Sequence, residues 1–137
     1  ILEVILQDAR RLGLKVALAS SSSCKWVEGH LQKLGLRAYF DAVFAKDDVS
    51  RTKPDPALFA RAVEALGAAP REAIAFEDSP NGILSASRAG LFVVAVPNVI
   101  TCRMDLSLAD WMVSSLEEMP LERLIAEVEA KIAAVES

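Results

Sequence analysis

Glu77 and Asp78 stand side by side in AIAFEDSPNG (residues 73–82), just after a short apolar run and just before a helix start. Two acids at the carboxyl end of a strand are candidate metal or substrate groups, because ligands of open parallel α/β sheets bind along that edge. A capped helix start is the competing reading. Ser79 suits the N-cap and Pro80 the first helical position, where acids are favoured by the helix dipole. Upstream, Ser20 closes the run VALA and opens a row of serines, Ser20 to Ser23, that leads into a helix. Backbone N–H groups at a helix start, with hydroxyls beside them, can hold a phosphate or another anion; a serine-rich cap and loop is the alternative. Lys53 lies in SRTKPDP (residues 50–56). Pro54 biases it toward an extended backbone, and Asp55 and Pro56 read as the N-cap and first residue of the next helix. The lysine is thus held at a loop tip, where a solvated surface role is the alternative.

The elements that position these groups repeat as a unit: a helix-period segment, a glycine and a short apolar strand. Gly13 precedes a strand at 14–20, Gly35 one at 42–45, Gly67 one at 73–76 and Gly90 one at 91–96. Glycine at a helix C′ position adopts the left-handed conformation cheaply, after which the chain re-enters the sheet. Near-continuous apolar strands separated by helices indicate a doubly wound, Rossmann-like α/β fold with a parallel sheet covered on both faces. The first segment, Ile1 to Leu12, has helical spacing at Leu2, Ile5, Leu6, Ala9 and Leu12, with neither a cap nor a strand before it. A helix is expected from about Lys25 to Leu34, with His30 on its surface or in packing. After Val96 comes the loop PNVITCRMD, and residues 111–113 read as a weak last strand. A final helix from Pro120 to about Val135 carries the stripe Leu121, Leu124, Ile125, Val128 and Ile132, expected to face the core.

The chain has 137 residues, 53% apolar and 25% charged, which allows one globular core. A net charge of −4 offers no basic face for nucleic acid, so any phosphate site must be local. Cys24 and Cys102 form neither a framework nor a CxxC pair, so they read as buried or half-buried thiols of a reducing compartment. No signal-peptide layout or membrane-length apolar run occurs, and a cytoplasmic location is the expectation.

Ser20, Lys53 and the pair Glu77–Asp78 therefore fall at the carboxyl ends of three strand units. A hydroxyl, a cation and two acids on one rim suit Mg²⁺-dependent handling of a phosphate group. Mg²⁺ takes one or two carboxylates together with phosphate oxygens and waters, so Asp78 is read as a direct ligand and Glu77 as a direct or water-mediated one. Lys53 can offset charge on the phosphate and on a neighbouring carboxylate, and Ser20 can donate to a phosphoryl oxygen. No residue has an assigned place as nucleophile. Asp8 and Asp41 do not end an apolar strand, and no His, Cys or Ser has a base partner in a recognisable arrangement.

VALASSSS, TKPDP and IAFEDSPNGILSASRAG, in this order and spacing, resemble motifs two, three and four of the haloacid-dehalogenase superfamily. The closest similarity is to the branch holding β-phosphoglucomutase and small sugar-phosphate phosphatases, which AVPNVIT (residues 95–101) also fits, and it spans Ile1 to Val113. The resemblance implies that Ser20 is the phosphate-binding hydroxyl, Lys53 the motif-three lysine, and Glu77 and Asp78 the acids serving Mg²⁺. Ser21 and Ser22 would lie near the entrance, against substrate.

Members of this family begin with a strand ending in DxD. Its first Asp is the nucleophile that forms an aspartyl-phosphate, its second the general acid/base, and a helical cap follows. Neither strand nor cap occurs in residues 1–137, which therefore read as a partial family core, expected to be inactive alone. The parent protein is expected to be a phosphatase of a small phosphorylated metabolite, a sugar phosphate in particular. A phosphoglucomutase, or a non-catalytic phosphate- or metal-binding remnant, is the alternative. The nucleophile strand would lie between the strands ending at Ser20 and Phe76. Without it, the expectation is that a missing segment or another chain fills the place, or that the two edges move together.

Overall fold

The computed structural model describes residues 2–116 and 120–136, and side chains from residue 6 to 135 within that range. The expected helix–glycine–strand units are present. Helices α1 (Leu2–Arg11), α2 (Cys24–Leu34), α3 (Ala57–Ala65), α4 (Pro80–Arg88) and α5 (Leu121–Glu136) accompany strands β1 (Ala17–Ala19), β2 (Ala42–Phe44), β3 (Ile74–Glu77), β4 (Phe92–Ala95) and β5 (Trp111–Met112). Gly13, Gly35, Gly67 and Gly90 all have positive φ. At Gly35 (φ 70°) the left-handed turn lets the N–H donate to the Gln32 carbonyl and close the end of α2.

Several boundaries differ from the expectation. The first strand is shorter than residues 14–20, because Leu14 and Lys15 are exposed and outside the ladder. Helix α2 begins at Cys24, one residue early, because Ser23 is its cap and accepts from the Trp26 N–H at 3.2 Å. Helix α3 begins at Ala57, with Pro56 at the cap position; the Asp55 carboxylate still accepts from the Ala57 N–H at 3.0 Å. Cys102 is exposed, contrary to a buried or half-buried thiol, whereas Cys24 is half-buried.

All strand pairs are parallel, but they form two sheets, β1–β2 and β3–β4–β5. Ala17 pairs with Ala42, Ile74 with Phe92 and Val94 with Trp111. Two aspartates set the register at the amino ends. Asp41 exchanges bonds with the Val16 N–H and carbonyl, both 2.7 Å, and Asp110 does the same with Val93 at 2.8 and 2.9 Å. Asp41 thus lies at the edge opposite the carboxyl ends, consistent with its exclusion as a nucleophile.

Alternation along the strands splits the core between two faces. On one, Ala19, Ala75, Val93 and Ala95 pack with Phe59 and Val63 of α3 and Ile83 and Ala86 of α4. On the other, α1 and α2 cover Leu18 and Val43 through Leu6, Val27 and Leu31. Helix α5 covers Phe76, Val94 and Trp111 on that face through Leu124 and Val128, with Ile132 packed beside them. The two sheets are tied together by helices: α3 touches β1, β2 and α4, and α1 meets α5, where Arg11 pairs with Glu122 at 3.0 Å.

Between β1 and β3 the ladder stops. Ser20 donates to the Phe44 carbonyl, so in a parallel strand Leu18 and Ser20 spend their backbone groups on β2, and Ala17 and Ala19 direct theirs to the other side. Likewise Phe92 and Val96 donate to the carbonyls of Ala73 and Glu77, which leaves Ile74 and Phe76 directed away from β4. The edges have not moved together; a cleft lies there. Among the described residues no helix is long and apolar enough to cross a membrane.

Candidate active site

The cleft has a volume of about 490 Å³. Ser20, Ser21, Lys53, Glu77, Asp78 and Ser79 line it together, above an apolar part that includes Leu18, Leu31, Phe76, Val96 and Leu116. Ser22 is exposed and does not line it; its carbonyl accepts from the Lys46 N–H at 3.0 Å. The serine row is divided by local bonding. The Ser20 Oγ accepts from the Ser22 N–H at 3.1 Å, which turns the chain at the end of β1, while Ser23 caps α2.

Lys53 is not a solvated surface lysine. Its side chain is 14% exposed, and its ammonium pairs with the Glu77 carboxylate, donates to the Ala19 carbonyl at 3.0 Å and lies 4.8 Å from the centre of the Phe59 ring. The loop that carries it, which includes a cis Lys53–Pro54 peptide, is anchored to α4. The fully buried Ser85 donates its hydroxyl to the Asp55 carbonyl at 2.7 Å, and Arg88 reaches the Pro54 carbonyl at 3.4 Å. Glu77 rests over the first turn of α4, and a Cβ on the buried Gly82 would fall inside its carboxylate. This glycine therefore makes the room in which Glu77 meets Lys53.

Asp78 is exposed. Its carboxylate receives the Asn98 side-chain amide at 3.1 Å, from the loop after β4. Gly82 and Asn98 are the contacts that residue types alone did not assign. Gly82 is visible only as part of a motif, and Asn98 is 20 residues from the acid it touches. His30 is exposed, stacks on Trp26 at 4.8 Å and lines the cleft with it.

The donor set suits Mg²⁺ in part. One of its two acids is paired with an ammonium, and among the described residues the other accepts from a neutral amide and has no ion-pair partner. Among the described residues no group of three His, Cys, Asp or Glu side chains could hold a metal. A cation at Asp78 would take its other ligands from substrate, water or residues beyond these, which is the habit of Mg²⁺.

A doubly wound α/β layer with a hydroxyl, a lysine and two acids on its carboxyl edge carries its polar groups where folds of this class bind ligands. The chain belongs to the haloacid dehalogenase-like hydrolases, whose family model matches residues 2–96. It is 45% identical over 123 residues to YhcW of Bacillus subtilis (strain 168), covering 90% of this chain and 56% of that protein. With the validoxylamine A 7'-phosphate phosphatase of Streptomyces hygroscopicus subsp. limoneus it shares 38% over 92 residues, 67% of this chain and 43% of the relative. Among solved structures, β-phosphoglucomutase from Clostridium difficile superimposes with a TM-score of 0.83 at 26% identity, over 96% of this chain and 56% of that one. CbbY from Rhodobacter sphaeroides, solved with phosphate, gives 0.79 at 32%, over 83% and 52%. The chain spans about half the length of the curated relatives it matches.

Proposed function

We propose that the whole protein is a Mg²⁺-dependent phosphatase of small phosphorylated metabolites, sugar phosphates in particular. The observation that carries this is Lys53, drawn out of solvent to the cleft between the carboxyl ends of β1 and β3 by Glu77 and the Ala19 carbonyl. A cation fixed there, with hydroxyls of Ser20 and Ser21 in the same cleft, suits the equatorial oxygens of a phosphoryl group. Ser22 is left out of this set. Asp78 would hold Mg²⁺, which when bound neutralises charge on phosphoryl oxygens. Glu77 keeps Lys53 oriented rather than left to solvent.

The names of relatives support the substrate class: a validoxylamine A 7'-phosphate phosphatase and a fructose-1-phosphate phosphatase of Escherichia coli (strain K12), 40% identical over 81 residues. By family resemblance, the phosphoryl group passes through an aspartyl-phosphate. Its nucleophile arrives on a strand beyond residues 1–137, from the same protein or from another chain, that fills the cleft between β1 and β3. The free thiols Cys24 and Cys102 favour the cytoplasm as its location. The similarity to β-phosphoglucomutase supports a second reading, in which the phosphoryl group passes to a second hydroxyl instead of to water.

The test is product analysis with a panel of sugar phosphates, Mg²⁺ and the whole protein. Free phosphate is expected from the phosphatase, and an isomeric sugar phosphate from the mutase. Asp78→Asn and Lys53→Ala should each lower turnover by roughly 10²–10³, the cost of one preorganised electrostatic group. Near-normal turnover of both variants at saturating Mg²⁺ and substrate would remove these residues from the mechanism.

A further inference from the structure

We propose that Asn98 is a positioning residue that fixes the Asp78 carboxylate for a divalent cation; this rests on the reading of Asp78 as the cation's ligand. Asp78 follows β3 and is exposed, so burial does not hold it. The Asn98 Nδ2 donates to its Oδ2 at 3.1 Å, across from the loop that leaves β4.

The direction of that bond is set by the loop. The Asn98 Oδ1 accepts from the backbone N–H groups of Ile100 and Thr101, both at 2.9 Å. A flipped amide would turn its NH₂ against two N–H donors and its oxygen against a carboxylate, so only one orientation is satisfied. The loop is closed further by the Asn98 N–H donating to the Thr101 Oγ1 at 3.0 Å and the Cys102 N–H donating to the Asn98 carbonyl at 2.9 Å. Thr101 is 7% exposed and anchors the loop in the fold, while Asn98, Val99 and Ile100 are exposed, so it is the bonds to the loop backbone and not burial that orient the amide. What it offers Asp78 is one amide hydrogen of defined direction.

The chemistry of this donor matters as much as its place. Glu77 and Asp78 are adjacent, yet Glu77 is paired with an ammonium and Asp78 with a neutral amide. An amide fixes a carboxylate through one oxygen without cancelling its charge. The fold thereby spends one acid on holding Lys53 and leaves the other oriented, without an ion-pair partner among the described residues. Partners that orient a metal-binding carboxylate in this way are worth about 10–100-fold in metal affinity.

The experiment is calorimetric titration of the whole protein with Mg²⁺ alone, together with its thermal unfolding, for the unaltered protein and for Asn98→Ala, Asn98→Ser and Asp78→Asn. Serine keeps an oxygen that can accept from the loop N–H groups but lacks a donor that reaches Asp78, so it separates loop closure from positioning. The expected result is a fall of about 10–100-fold in Mg²⁺ affinity in both Asn98 variants, with the unfolding temperature retained in Asn98→Ser. Unchanged affinity in Asn98→Ser, with binding lost in Asp78→Asn, overturns the role of Asn98 and leaves the cation reading standing. Unchanged affinity in Asp78→Asn overturns the cation reading and this proposal with it.

Discussion

Glu77 and Asp78 show how neighbouring side chains of one chemical type are given different work. Glu77, at the end of β3, lies on the α4 side, where its side chain is 9% exposed and meets Lys53. Asp78, one residue on, is solvent-facing, and among the described residues its carboxylate is restrained by Asn98 and the loop behind it. The burial of Glu77 depends on Gly82, because any Cβ there occupies the space of the carboxylate. Gly82→Ala in the whole protein should destabilise it by about 1–3 kcal/mol through overpacking and lower phosphatase turnover by moving Glu77 off Lys53. The matched substitution Asn81→Ala, on the exposed side of the same turn, should stay within about 0.5 kcal/mol. Urea midpoints and initial rates measure both. Gly82→Ala with an unshifted midpoint and full turnover would show that the glycine is not what seats the carboxylate.

The elements that bring these residues together were largely legible because their signals are local. Helical periodicity, a C′ glycine and an apolar run lie within a few residues of one another, and so do Ser79 and the Gly82 N–H it accepts from at 3.1 Å. Ser20, Lys53, Glu77 and Asp78 could be placed on one edge because parallel strands share their carboxyl ends. What the residues could not disclose is non-local or depends on register. Asn98 meets Asp78 across two elements, Asp41 and Asp110 tie the starts of neighbouring strands, and Ser22 turns out of a cleft that Ser20 and Ser21 line. Strand length was overestimated at β1, because an apolar run does not show where the ladder ends. The directions of Ala17, Ala19, Ile74 and Phe76 carry a prediction of their own. Their N–H groups should exchange slowly in the whole protein and much faster in the 137-residue chain, whose cleft edges lack ladder partners among the described residues; each ladder bond forgone is worth about 0.5–1.5 kcal/mol. Amide hydrogen exchange followed by mass spectrometry reads this, and strong, uniform protection across residues 16–19 and 74–76 in a monomeric 137-residue chain would contradict it.

At the scale of the molecule, two parallel sheets are held by α3 and α4 on one face and by α1 and α5 on the other, around a cleft of about 490 Å³ with polar groups along its rim. Helices bridge the two sheets while the strands do not, so the cleft is bounded by backbone on both sides and by the catalytic candidates at its carboxyl end. The chain spans about half the length of its relatives, and the gap between β1 and β3 is where we propose that the nucleophile strand lies. The most direct test of this account is to quench the whole protein in acid during turnover of a sugar phosphate with Mg²⁺ and to map the phosphoryl group by mass spectrometry. The account predicts an acyl phosphate on an aspartate beyond residues 1–137, lost on treatment with hydroxylamine and strongly reduced in Lys53→Ala. A phosphoryl group on Ser20, Ser21 or any other residue within 1–137 would contradict it.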